Sequence, residues 1–286
     1  MPDIAMTSRL SDTQLLALLH EDVPHGDLTT DGLPLAGVNA RMSFHARGAL
    51  QLSGIGEAAR LLTLCGASVT LSAMSGQPVA AGTALLDARG SAPALLRGWK
   101  VAQTLVEYLC GIAGATAAIV QAVRAAGFHC PVACTRKNPP GTRALTALAV
   151  RDGGGILHRL GLSETLLVFP EHRALMAAQD WPGCLTRLRG QQPEKRLVVE
   201  VGSSEAALDA AAAGAEVLQL ERFSPAEVAD LRGRLRAAGL RASLAPAGGV
   251  NLANAVDYAR AGADLLVTSS PYAAPPAEVQ VRLRPA

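Results

Sequence analysis

The stretch LVVEVGSSEAALDAAAAGAEVLQLE, residues 197–221, decides the fold class. Leu197 to Val201 and Val217 to Leu220 are apolar runs of strand length, and the alanine-rich segment from Ser204 to Ala213 between them has helical composition. Strands that are apolar on both faces belong in a sheet covered on both sides, which is the signature of a parallel βα arrangement. The unit recurs downstream. Ala242 to Ala245 and Leu265 to Thr268 read as further strands, with helices over Ser224 to Ala238, where Pro225 sits in the first turn, and from Leu252 to Ala261. From Pro131 onward the chain is therefore a βα repeat with a parallel sheet. Spacing alone leaves open whether that sheet closes as a barrel or stays doubly wound.

Upstream the pattern is irregular. Ser11 reads as the N-cap of a short helix with Leu15, Leu16, Leu18 and Leu19 on its apolar side, and Val38 to Ala46 alternates like a strand. Gly56 to Cys65 returns to helical spacing, and Val69 to Asp87 is broken by Gly76, Pro78 and Gly82 into small strands and turns. A long helical region from Ala94 to Ala126, interrupted near Gly111 and Gly114, bridges into the repeat.

With 286 residues and 49% hydrophobic content, the chain can bury one large core or two ordinary ones. Its 26 basic and 24 acidic residues leave a formal charge of +2, so no global field draws it to nucleic acid or membrane, and any anion site is local. Aromatic content of 3% argues further against single-strand nucleic-acid binding. Met1 to Arg9 lacks a basic segment followed by an apolar run, and no uninterrupted apolar stretch reaches the ~18 residues of a span, which implies a cytoplasmic protein. Cys65, Cys110, Cys130, Cys134 and Cys184 are odd in number and scattered, which fits reduced thiols; His129, Cys130 and Cys134 lack the spacing of a metal site.

Polar residues cluster where strands end. Thr135, Arg136 and Lys137 follow one strand, Glu200 lies in another and Glu221 ends a third; in barrels those ends form the active face. Glu200 is flanked by valines, so it is expected to have a cationic partner. Thr135 to Arg143 carries three cations with Pro139, Pro140 and Gly141, a rigid turn able to aim them at one anion. Gly153, Gly154 and Gly155 before His158 and Arg159 would let backbone amides approach an anion. Pro246, Gly248 and Gly249 form a second strand-to-helix turn suited to phosphate, and a plain loop is an equal reading of that feature.

Taken together, these residues resemble the quinolinate phosphoribosyltransferase family, also called nicotinate-nucleotide pyrophosphorylase. Glu21, Asp22, Gly26, Asp27, Thr29 and Thr30 look like its N-terminal signature, and Gly111 to Thr116 resembles a second stretch. The most specific match is the ordered set Thr135, Arg136, Lys137, Pro140, Gly141, Arg143, the triple glycine, His158, Arg159, Gly161 and Leu162. The resemblance implies an α/β fold: an N-terminal α/β sandwich domain over 1–112, joined by the tail 271–286, and a C-terminal open, TIM-like α/β barrel over 113–270. It also implies transfer of ribose 5-phosphate from phosphoribosyl pyrophosphate, with Mg2+, to a ring nitrogen, in a homodimer with shared active sites.

On that footing Lys137, Glu200 and Glu221 are the catalytic set: Lys137 touches both substrates, and the two carboxylates hold ribose hydroxyls or Mg2+, directly or through water. Arg136, His158 and Arg159 bind the acceptor's carboxylate, and Lys100, Arg143, Phe169, Gly248, Gly249 and Thr268 complete the substrate-binding set. Positive donors on leaving pyrophosphate and carboxylates near a cationic ribose are the charges such a transfer needs. Five positions depart from the family pattern. A family lysine falls at Phe169, an arginine at Lys100, an aspartate at Glu221, an asparagine at Leu157 and a serine at Ala247. Those changes resemble the ModD branch, found with molybdenum-uptake genes. They imply a small heterocyclic acceptor with fewer anionic groups than quinolinate, against the alternatives of a true quinolinate enzyme in NAD synthesis and a non-catalytic oxyanion- or nucleotide-binding protein.

Overall fold

A computed structural model describes residues 9–176 and 180–286; the first eight residues, read above for a leader, lie outside that set. Two units separate. One gathers the described residues up to Ala117 with 140–154 and 273–286, and the other holds 118–139 and 155–272. In chain order the elements are α1 (Asp12–Asp22), α2 (Leu28–Gly32), β1 (Asn39–Ala46), β2 (Leu50–Gln51), α3 (Ile55–Leu64), β3 (Ser68–Leu71), β4 (Pro78–Val79), β5 (Ala84–Ser91) and α4 (Ala92–Ala125). There follow β6 (Val132–Cys134), α5 (Arg143–Asp152), β7 (Ile156–Leu157), β8 (Leu166–Val168), α6 (Pro170–Leu175) and α7 (Trp181–Gln191). The regular part comprises β9 (Leu197–Val201), α8 (Ser204–Ala212), β10 (Val217–Glu221), α9 (Pro225–Ala237), β11 (Ser243–Ala247), α10 (Ala255–Arg260), β12 (Leu266–Thr268) and β13 (Val279–Pro285).

The first unit is an α/β sandwich. Its antiparallel sheet runs β13-β1-β5-β3, with Asn39 opposite Ser91 and Ala40 opposite Pro285. Alternation on β1 turns Met42 and Phe44 inward, where they are fully buried, and α3 contributes Ile55, Leu61 and Leu62 to the same kind of environment. Ser11 caps α1 with a reciprocal pair to Gln14, but Leu15 alone is buried in that helix; Leu16 is 44% exposed. The interruptions expected near Gly111 and Gly114 do not occur, because α4 is continuous. Gly111 serves close packing instead: a Cβ there would stand 2.2 Å from the carbonyl oxygen of Pro275. By length and composition α4 could cross a membrane, yet 56% of its apolar window is buried within the protein, as befits a core helix.

The second unit is an open α/β barrel. Its strands are all parallel and form two arcs, β11-β10-β9-β8 and β12-β6-β7. One face of the strands buries Leu218, Leu220 and Leu244 with Val228, Leu231 and Tyr258 of the surrounding helices. The other face packs Val198, Val217, Ala245, Ala247 and Val267 into an inner layer. This double burial is why the strands read as unbroken apolar runs. The helix expected from Leu252 begins at Ala255, since Asn251 and Asn254 bond to each other and to Gly249 across that turn.

Candidate active site

Among the described residues, all seven strands of the barrel unit end at one cavity of about 840 Å³, lined by Thr135 to Lys137, His158, Arg159, Phe169, Glu171, His172, Glu200, Gln219, Glu221, Gly248 to Asn251 and Thr268 to Ser270, among others. The strand order sorts the charges around its rim. β6 and β7 carry Arg136, Lys137, His158 and Arg159; β9 and β10 carry Glu200, Gln219 and Glu221; β8 runs into Phe169 and Glu171; and β11 leads into the glycine turn. A ligand entering the cavity meets cations along one arc and carboxylates along the other.

The cationic arc is held from the backbone. Thr135 N–H donates to Thr268 O at 2.9 Å, Tyr272 Oη donates to Thr135 O at 2.8 Å, and Lys137 N–H donates to Thr135 Oγ1 at 3.2 Å. His158 N–H donates to Cys134 O at 2.9 Å. Arg159 is 7% exposed, and among the described residues it has neither an ion pair nor a hydrogen bond; its guanidinium carbon lies 5.6 Å from the Phe169 ring centroid. Burial, then the charge of Arg136, lower its pKa. A buried cation without a protein counter-charge is the complement of an anionic ligand.

Burial, then the charge of Arg159, push His158 down to about 4 from an ordinary 6.5. It is therefore neutral near pH 7 and offers one donor and one acceptor. Because the folded-state value is lowered, the neutral ring contributes stability above pH 6.5 that is lost as pH falls through about 4. An NMR titration of the ligand-free protein is expected to place the His158 midpoint near 4; a midpoint at 6 or above would show that the ring is not desolvated in this way.

On the acidic arc, Glu200 does not have the cationic partner its apolar neighbours led us to expect. Gln219 Nε2 donates to Glu200 Oε2 in a short hydrogen bond, and Glu200 forms no ion pair among the described residues. The carboxylate is only half-buried where it faces the cavity, so solvent or ligand shares the load. Burial, then the charge of Glu221, raise its pKa, with Lys137 a small opposing influence. Glu221 has Arg222 Nε 3.7 Å away. Gly248 lets that carboxylate in: at φ +74 it has a left-handed backbone, and a Cβ there would lie 2.4 Å from Glu221 Oε1.

Gly249 follows at φ +126, and no amide N–H of Gly248, Gly249 or Val250 donates a hydrogen bond among the described residues. These donors stand at the cavity wall, as an anion nest requires. Thr268 is 3% exposed and its hydroxyl donates to Val250 O at 2.6 Å while accepting from Ser270 N–H at 3.0 Å, so it ties the β12 end to the glycine turn. Gly153 and Gly154 are not part of the cavity. They close α5, with N–H groups bonded to Ala149 O and Arg151 O, and a Cβ on Gly153 would meet Ala113 O at 2.5 Å. Lys100 and Arg143 belong to the sandwich unit. Lys100 lies over the Trp99 ring at 4.4 Å and bonds Gln103, and Arg143 opens α5 exposed.

Gln219, Glu171, His172 and Asn251 were not singled out from sequence as site residues. Gln219 left a signal, a lone amide two residues before Glu221 in an otherwise apolar strand, which puts both on one face. Comparison with known proteins gives this geometry a lineage. Residues 27–110 match the model of the quinolinate phosphoribosyl transferase N-terminal domain, and residues 112–282 match that of its C-terminal domain.

The chain belongs to the quinolinate phosphoribosyltransferase family. Within it, the ModD protein of Rhodobacter capsulatus, which carries the provisional name of a pyrophosphorylase, is 48% identical over 88% of this chain and 97% of its own length. ModD of Escherichia coli strain CFT073 is 38% identical over 97% and 98%. The nicotinate-nucleotide pyrophosphorylase (carboxylating) of Mycobacterium leprae is 34% identical over 88% and 89%. Among solved structures, NadC from Streptococcus pyogenes superposes with a TM-score of 0.87 at 27% identity, covering 98% of this chain and 100% of that one. As a quinolinate phosphoribosyltransferase homologue the protein is a pentosyl-transferring enzyme, and the cavity at its barrel strand ends gathers Arg136, Lys137, His158 and Arg159.

Proposed function

We propose that this enzyme moves the 5-phosphoribosyl group of phosphoribosyl pyrophosphate onto a ring nitrogen of a small heterocycle other than quinolinate, releasing pyrophosphate. The observation that supports it is Phe169. The ring lines the cavity beside Arg159 and stacks on His172 at 5.7 Å, in the position where the family resemblance calls for an ammonium. An aromatic face there favours a flat ring, and it leaves the second carboxylate of a dicarboxylate acceptor without a partner. Arg136, Arg159 and the neutral His158 still serve one anionic group, Lys137 reaches toward both substrates, and the glycine turn receives phosphate.

The carboxylates of Glu200 and Glu221 fit Mg2+. They are hard oxygen donors close enough for Glu221 to raise the pKa of Glu200, and Mg2+ typically takes one or two carboxylates with substrate phosphates completing its shell. When bound it would neutralise charge on the departing pyrophosphate. Similarity to the ModD proteins is the ground for a role in molybdenum utilisation in the cytoplasm, and family architecture for a homodimer in which Lys100 serves the neighbouring subunit's site.

Pyrophosphate release from phosphoribosyl pyrophosphate across a panel of nitrogen heterocycles tests the reading. Release with at least one of them is expected; binding of phosphoribosyl pyrophosphate without release by any would oppose it. Phe169→Lys is expected to strengthen quinolinate binding by roughly tenfold through one restored charge-assisted contact. An unchanged affinity would remove Phe169 from the acceptor pocket.

A further inference from the structure

Gln219 is a cavity residue whose side-chain oxygen the proposed transfer leaves unused. It sits in β10, in register with Glu200 of β9 and Ala245 of β11, and is 6% exposed. Two residues below it Val217 belongs to the apolar inner layer with Val198, Ala245 and Val267, so the amide forms the floor of the cavity. A leucine or methionine would fill such a place without any polar atom to satisfy.

One prong of the amide has a partner. Nε2 donates to Glu200, while Oε1 is buried with no hydrogen bond. Three other buried side-chain atoms share that condition among the described residues, His45 Nδ1, Thr165 Oγ1 and Trp181 Nε1, and none of them belongs to a residue lining this cavity. A buried carbonyl oxygen left unpaired is costly, and a turn of the side chain toward the cavity would let a hydrogen-bond donor brought by a ligand satisfy it.

We infer that Gln219 Oε1 accepts a hydrogen bond from the heterocyclic acceptor, which therefore carries an N–H or amino group on its ring edge. This rests on the reading that the cavity binds such an acceptor. The heterocycle is favoured over a ribose hydroxyl by the direction in which the amide is tied. Its partner Glu200 lies on β9, whose far neighbour β8 leads into Phe169, whereas the glycine turn follows β11 on the opposite side of β10. The acceptor then rests its ring on Phe169, turns its anionic group to Arg136 and Arg159, and sets its donor on the floor. Specificity of this kind is strong because a ligand lacking the donor leaves the protein's own oxygen unpaired.

Isothermal titration of nicotinate and its 2-amino and 6-amino derivatives into wild type and Gln219→Met tests it, with phosphoribosyl pyrophosphate titrated separately into both. At least one amino derivative is expected to bind wild type at least about tenfold more tightly than nicotinate does. Gln219→Met removes that difference between the two ligands; Gln219→Leu is the second variant, scored in the same way. No gain from either amino group, no binding of either derivative, or a gain that persists in the variants overturns the inference. Failure of the underlying reading looks different: wild type itself would not bind phosphoribosyl pyrophosphate.

Discussion

Glu200→Gln is expected to slow pyrophosphate release by about 10²–10³-fold, with a much smaller change in the affinity for phosphoribosyl pyrophosphate. The substitution keeps shape and removes one negative charge. As the bond to pyrophosphate lengthens, the ribose becomes cationic, and a fixed carboxylate stabilises that state more than the neutral ground state. The loss should therefore fall on kcat. Glu200 is suited to this because Gln219 fixes it from one side and burial has already withdrawn it in part from water. Relief of repulsion with Glu221 means that the variant should be at least as stable as wild type, so lost turnover could not be ascribed to unfolding. Equal losses in binding and turnover would reduce Glu200 to a ground-state contact.

Arg159→Met should move stability and function in opposite directions. At 7% exposure, with no protein counter-charge among the described residues, the guanidinium is destabilising in the ligand-free protein. Replacing a buried charge by an apolar side chain of similar length is expected to stabilise by roughly 1–3 kcal/mol. The contact to Phe169 that is lost contributes about 0.5–1 kcal/mol, which is smaller. Thermal melting should therefore shift upward while binding of an anionic heterocycle falls by about 100-fold, the scale of one charged, desolvated contact. A lower melting temperature would mean that Arg159 is integrated into the fold rather than reserved for a ligand.

Much of the barrel was legible because its physics is local. Strands such as Val217–Glu221 are apolar on both faces, and the polar residues that interrupt them near their C-terminal ends, Glu200 and Glu221, stand out against that background. Gln219 is ambiguous in sequence, since one amide in a core strand is as often satisfied internally; only the folded structure leaves Oε1 unpaired. Gly153 and Gly154 are ambiguous in sequence because glycine serves a helix end, a close approach and an anion loop equally well, and the choice depends on α5 packing against Ala113 and Thr116. Gly111 misled similarly, its reason being the distant Pro275. Glu200 was given a cationic partner by the rule for buried carboxylates, but the cavity leaves it half-buried, and an amide suffices.

The central claim is phosphoribosyl transfer to an acceptor other than quinolinate, and a side-by-side steady-state assay tests it most directly. With phosphoribosyl pyrophosphate and Mg2+, wild-type protein is offered quinolinate or a panel of monoanionic heterocycles that includes the aminonicotinates, and pyrophosphate and carbon dioxide are both measured. Pyrophosphate release with a monoanionic heterocycle, and no carbon dioxide above background from quinolinate, is the predicted result. Carbon dioxide release from quinolinate with a kcat of about 1 per second or more, a rate typical of enzymes on their own substrates, would contradict it.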